Sequence, residues 1–105
     1  MIQGICVYEI VCVFYIVMKN KDLEKILRAF ANRRRIAIIR YLKAEGEATV
    51  GDIAAEIRLS FRSTSRHLRV LAAAEILDRE QRSLSMFYRL NLETDRVVRA
   101  VISLI

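Results

Sequence analysis

Two amphipathic runs in the middle of this chain are joined by only three residues, Arg58-Leu59-Ser60. Val50, Ile53, Ala54 and Ile57 recur at i, i+3, i+4 and i+7, the spacing of one helix face. Thr49 with Asp52 three residues on resembles a capping box at the start of that run. Past the joint, Ser60 is the next N-cap candidate, and a helix is expected from Phe61 to about Ile76. A short helix, a tight turn and a second helix leave few arrangements open.

The second run is the more unusual. At about 100° per residue, Phe61, Thr64, Leu68 and Leu71 gather on one side, which is expected to be buried. Arg62, Arg66 and Arg69 gather opposite, with Ser63 and Val70 at the margin and Ser65 at the border. Seven arginines and three acids lie in residues 58–89, a net +4 of the chain's +6. Solvated helical faces normally mix both signs, so an acid-free arginine stripe points to a polyanionic partner. Its bland alternative is a plain solvated face. The chemistry suits DNA: a guanidinium fork matches guanine O6 and N7 or a phosphate, and hydroxyls reach either.

The rest of the chain supplies a frame. Leu23, Ile26, Leu27 and Phe30 repeat the helical interval. Asn32 can cap a second helix with Ile36, Ile39 and Leu42 inside, and Gly46 breaks it. LDREQ and SMFYRL read as two strands about a turn at Arg82-Ser83-Leu84, with Arg79 and Arg82 near the tip. Val97, Val98, Val101, Ile102 and Ile105 suit one face of a C-terminal helix. At 105 residues and 54% hydrophobic content, the chain makes one ordered domain with a modest core. The fold class is mainly α: about five helices with a two-stranded hairpin, over residues 19–105.

Residues 1–18 differ from everything after them. They are apolar and β-branched, and the uninterrupted part is short of the roughly 20 residues that span a bilayer. Three readings stay open: an extension with no part in function, a strand or helix packed on the domain or at a dimer contact, or membrane attachment through residues 5–18. Cys6 and Cys12 form no CxxC and have no nearby His, so no metal site is expected and a reducing cytoplasm fits. His67, the one histidine, falls beside the stripe, as a DNA contact or a packing residue. No nucleophile–base pair or glycine-rich phosphate loop emerges, so no enzyme is expected.

From about Leu23 to Leu90 the chain resembles the arsenic-repressor (ArsR) family of winged helix-turn-helix regulators. LRAFANRRRIAIIRYL is similar to that family's opening helices, ATVGDIAAEIRLSFRSTSRHLRVLAAAEIL to its helix-turn-helix, and DREQRSLSMFYRL to its wing. The resemblance implies a homodimeric, cytoplasmic and nucleoid-associated DNA-binding repressor, with the fourth helix in the major groove of double-stranded DNA. Ser60, Arg62, Ser63, Ser65, Arg66, His67, Arg69, Arg79 and Arg82 are the expected DNA contacts. Val97, Val98, Val101 and Ile102 are the expected dimer contact. Two other readings remain: a winged-helix module that binds protein, and a regulator tethered to a membrane. Arg33-Arg34-Arg35 stands where the family has Pro-Thr-Arg, and Glu75 where glycine is common. The segment TVGDIAAEI carries none of the cysteines that metal-sensing members place there. No cofactor is expected, and the effector is unassigned.

Overall fold

The computed structural model describes residues 23–105. The readings placed on residues 1–18, including Cys6 and Cys12, lie outside the described residues. Residues 23–30 form α1. It is followed by α2 (Arg33–Glu45), β1 (Glu47–Thr49), α3 (Val50–Ile57), α4 (Phe61–Ala73), β2 (Leu77–Arg82), β3 (Ser85–Leu90) and α5 (Arg96–Leu104).

Local chemistry sets most of the helix starts. The Asn32 side chain accepts hydrogen bonds from the Arg34 and Arg35 amides, satisfying N–H groups that have no partner inside α2. Thr49 and Asp52 form the reciprocal capping box of α3. The Ser60 hydroxyl accepts from the Ser63 amide at the start of α4, and Asp95 accepts from the Val97 amide at the start of α5. Gly46 stops α2 at φ 87°, a backbone conformation that costs side-chain-bearing residues dearly.

Two helix ends also reach positive φ, without glycine. At the end of α3 the Leu59 amide bonds to Ala54 O and the Arg58 amide to Ala55 O, with Arg58 at φ 55°. At the end of α4 the Ile76 amide bonds to Leu71 O and the Glu75 amide to Ala72 O, with Glu75 at φ 60°. Both are Schellman closures, in which the left-handed residue is usually glycine. The second ends α4 at Ala73, short of the Ile76 that periodicity alone suggests. Left-handed backbone costs an L-residue about 1–2 kcal/mol, less the extra chain entropy glycine loses on folding. Glu75 is exposed, so Glu75→Gly is expected to stabilise the domain by about 1 kcal/mol and to raise Tm by about 4–8 °C. Thermal melts of the two proteins check this; an unchanged or lower Tm would mean that the Glu75 side chain contributes something its exposure does not show.

The hairpin is part of a larger sheet than the two strands expected. β1 pairs antiparallel with β3, Glu47 opposite Arg89, Ala48 opposite Tyr88 and Thr49 opposite Phe87. β2 pairs with the other edge of β3, from Leu77 opposite Leu90 to Arg82 opposite Ser85. The order is therefore β1-β3-β2. Three residues are too few to announce a strand by alternation; β1 exists because β3 offers it a free edge.

The core lies where the inner faces of α2, α3, α4 and α5 meet the sheet. Ile38, Ile39, Ile53, Leu68 and Leu71 are buried within it, with Tyr88 and Leu77 from the sheet. Ile38 is fully enclosed, whereas Ile36 is only half-buried. On α1, Ile26, Ala29 and Phe30 face inward, and Leu23 and Leu27, expected on the same face, look outward. On α5, Val98 and Ile102 were expected at a dimer contact, but they are sealed in their own chain's core. The Lys43 ammonium donates to the Ile102 carbonyl at 3.0 Å, supplying a partner to the last turn of α5.

Candidate nucleic-acid interface

Residues 58–74 contain four arginines, one histidine and no acid. α4 packs its Thr64–Leu68–Leu71 side into the core, so geometry forces Arg62, Arg66 and Arg69 outward, and all three are exposed. Among the described residues none of Arg58, Arg62, Arg66 and Arg69 is in an ion pair. Three arginines elsewhere do have acidic partners: Arg28 pairs with Glu24, Arg82 with Glu47 and Glu80, and Arg89 with Glu80. The turn and α4 thus concentrate four unpaired arginines on one acid-free segment. Ser63 and Ser65 lie half-buried beside it. Ser60 accepts the Ser63 amide at 3.1 Å, which leaves its hydroxyl proton able to donate outward.

His67 is tied down. Its Nδ1 lies 3.1 Å from Arg35 Nη1. The same guanidinium donates to Ala29 O through Nε at 2.6 Å and to Arg28 O through Nη2 at 3.2 Å. Arg35 therefore joins the last carbonyls of α1 to the outer flank of α4, and neighbouring Arg34 donates to Ile57 O at the end of α3. A guanidinium only donates, so His67 Nδ1 accepts, and its neutral ring carries the proton on Nε2. Burial, followed by the charges of Arg35 and Arg34, lowers the His67 pKa from its ordinary 6.5. Burial likewise lowers that of Arg35. The sign of the pH effect follows from linkage: the unfolded chain takes up the His67 proton before the folded one does. That part of the stability is present above about pH 6.5 and is lost as pH falls through the unfolded and then the folded pKa. Thermal melts from about pH 7.5 to about pH 5.5 should show a fall in Tm that His67→Gln reduces; an identical pH profile in the variant would remove His67 as its source.

The wing divides its two arginines. β2 residues Asp78, Glu80 and Arg82 share one sheet face, and Leu77, Arg79 and Gln81 share the face that includes buried Tyr88. Arg82 donates to both Glu47 oxygens at 2.9 and 2.8 Å and to Glu80 Oε2 at 2.7 Å, and its guanidinium carbon sits 4.6 Å from the centre of the Phe87 ring. These bonds, with Glu47 first and then Glu80, raise the Arg82 pKa, and the Arg82 hydrogen bond lowers that of Glu80. Arg82 was expected to touch the DNA backbone; most of its donors are occupied by Glu47 across the sheet and by Glu80 on its own strand. Arg79 is exposed and in no ion pair among the described residues, so it remains the wing's available cation.

Phe61 is the position that helical angle misplaced. It shares the angular sector of Thr64 and Leu68, yet it is 63% exposed, because the first residue of α4 projects past the edge of the core. Nothing in angular periodicity reports distance along the helix axis; its immediate sequence neighbours Ser60, Arg62 and Ser63 were the available signal.

A short helix, a left-handed turn and a basic helix standing out from the body, flanked by a hairpin, define a winged helix-turn-helix domain. A family model described as a helix-turn-helix domain matches residues 30–80. The transcriptional repressor SdpR of Bacillus subtilis is 32% identical over 69 residues, covering 66% of this chain and 76% of that one. Reduced HlyU from Vibrio cholerae superposes with a TM-score of 0.71 at 27% identity, over 86% of this chain and 90% of HlyU. The homodimeric winged helix-turn-helix DNA-binding domain of a possible ArsR-family regulator from Mycobacterium bovis gives 0.72 at 23% identity, over 84% and 78% of the two chains. This chain belongs to the ArsR-type family of winged helix-turn-helix transcriptional regulators. That family is one of DNA-binding regulators and not an enzyme class.

Proposed function

We propose that this protein is a homodimeric repressor that recognises a two-fold operator in double-stranded DNA, acting in the cytoplasm on the nucleoid. The observation that carries this reading is the outer face of α4, where Arg62, Arg66 and Arg69 stand exposed with no acidic partner among the described residues. In this reading α4 enters the major groove. Arg62, Ser63, Ser65 and Arg66 meet base edges or the adjoining phosphates. Arg69 and the Ser60 hydroxyl hold the backbone, His67 offers its Nε2 proton to a phosphate, and Arg79 reaches the backbone from the wing.

One domain covers little of the duplex, and two copies related by a two-fold axis cover two half-sites. The face available for that contact is narrower than the whole amphipathic side of α5. Val97 and Val101 are half-buried and Leu104 is 84% exposed, one turn apart along a single flank. Leu23 and Leu27 on α1 add further exposed apolar surface. We assign the dimer contact to these outward groups, leaving Val98 and Ile102 to the core. Among the described residues no three His, Cys, Asp or Glu side chains cluster as a metal site, and no described helix is long and apolar enough to cross a membrane. Footprinting on genomic DNA tests the reading. Protection of two inverted half-sites about one helical turn apart, or a multiple of that, supports it; protection with no sequence preference overturns it.

A further inference from the structure

We propose that Phe61 is a specificity-determining residue that packs on the C5-methyl group of a thymine in each half-site. The proposal rests on α4 being the recognition helix. Phe61 opens that helix, 63% exposed, between Ser60 and Arg62. The remaining large side chains in its angular sector, Leu68 and Leu71, are fully enclosed, so Phe61 is not a frayed part of the core. It is the one aromatic among the exposed large hydrophobic residues described, and it stands where recognition helices present their first residues to base edges. A phenyl ring can neither donate nor accept a conventional hydrogen bond. The major-groove edges offer donors, acceptors and one apolar group, the thymine methyl, and that is the feature a phenyl ring complements. Arg62 and Arg66 read polar edges, most readily guanine; Phe61 adds a preference they lack.

The test uses the duplex recovered by footprinting, with its thymines replaced one at a time by deoxyuridine. This change removes the methyl group and leaves every hydrogen-bonding atom in place. Burial of one such group is worth about a fourfold change in affinity. Wild-type protein is expected to bind about fourfold more weakly when the contacted thymine becomes uracil, and Phe61→Ala to bind the two duplexes alike. The same fourfold ratio persisting in Phe61→Ala, or no uracil having any effect on wild type, would overturn the proposal. Arg66→Ala, measured on the same duplexes, separates this outcome from failure of the wider reading. If Arg66→Ala weakens binding while thymine and uracil are equivalent, only the role of Phe61 falls. If neither variant differs from wild type, α4 is not the reading helix and both fall.

Discussion

Arg66→Ala is expected to weaken binding to the cognate operator by about 1–3 kcal/mol, roughly 5- to 150-fold, and to relax base preference at one position of each half-site. The size of the effect comes from geometry. Arg66 stands in the middle of a helix face whose charge is uncompensated, one turn from Arg62 and less than one from Arg69. A guanidinium so placed can spend two parallel hydrogen bonds on a single guanine, and a mismatch leaves both donors unpaired. Arg79→Ala is the companion: a phosphate contact from the wing should lower affinity for cognate and scrambled duplexes alike and reduce the salt slope by about one. Fluorescence anisotropy on both duplexes at two salt concentrations resolves the pair. Unchanged cognate affinity in Arg66→Ala would take α4 away from the base edges.

Val98→Asp is expected to unfold the domain, and to do so at every protein concentration. Val98 has no exposed surface, so an introduced carboxylate would be buried in the apolar core. Substitutions that bury an unpaired charge are among the few that cost more than about 4 kcal/mol, a large share of a small domain's total stability. Val101→Glu, three residues on and half-buried on the other flank of the helix, should leave the protomer folded and separate the dimer. Sedimentation and circular dichroism together distinguish the outcomes. A Val98→Asp protein that stays folded as a monomer would return Val98 to the dimer contact; a Val101→Glu protein that stays dimeric would remove this flank of α5 from it.

The contrast between these two valines shows what a sequence carries and what it does not. Val97, Val98, Val101 and Ile102 announce an amphipathic helix, and α5 is there. Whether an apolar face is covered by the chain's own core or by another protomer is decided in three dimensions, and periodicity is silent about it. The caps Asn32, Thr49–Asp52 and Ser60 were legible because each acts within three residues of itself. β1 was not, because Glu47-Ala48-Thr49 becomes a strand only on meeting β3 some forty residues later. The arginine stripe of α4 could be drawn from angles alone. Arg82 could not be assigned, since its partner Glu47 lies 35 residues away and nothing between them signals the pairing. Arg35 is similar: its place in the sequence resemblance was visible, but not that it would bind the end of α1 and His67 at once.

The Arg82–Glu47 clamp also constrains how a signal could release this protein from its operator. Glu47 begins the strand that runs directly into the capping box of α3, and Arg82 closes the wing hairpin. The wing is thereby tied to β1 and the start of α3, while Arg34 and Arg35 tie α2 to α3, to α1 and to His67 of α4. In the homodimer proposed above, the separation and relative rotation of the two protomers remain adjustable. An inducer that changed the seam between them by a few ångströms would move both reading heads out of step with successive major grooves, leaving each half of the protein intact while ending its grip on the pair of half-sites.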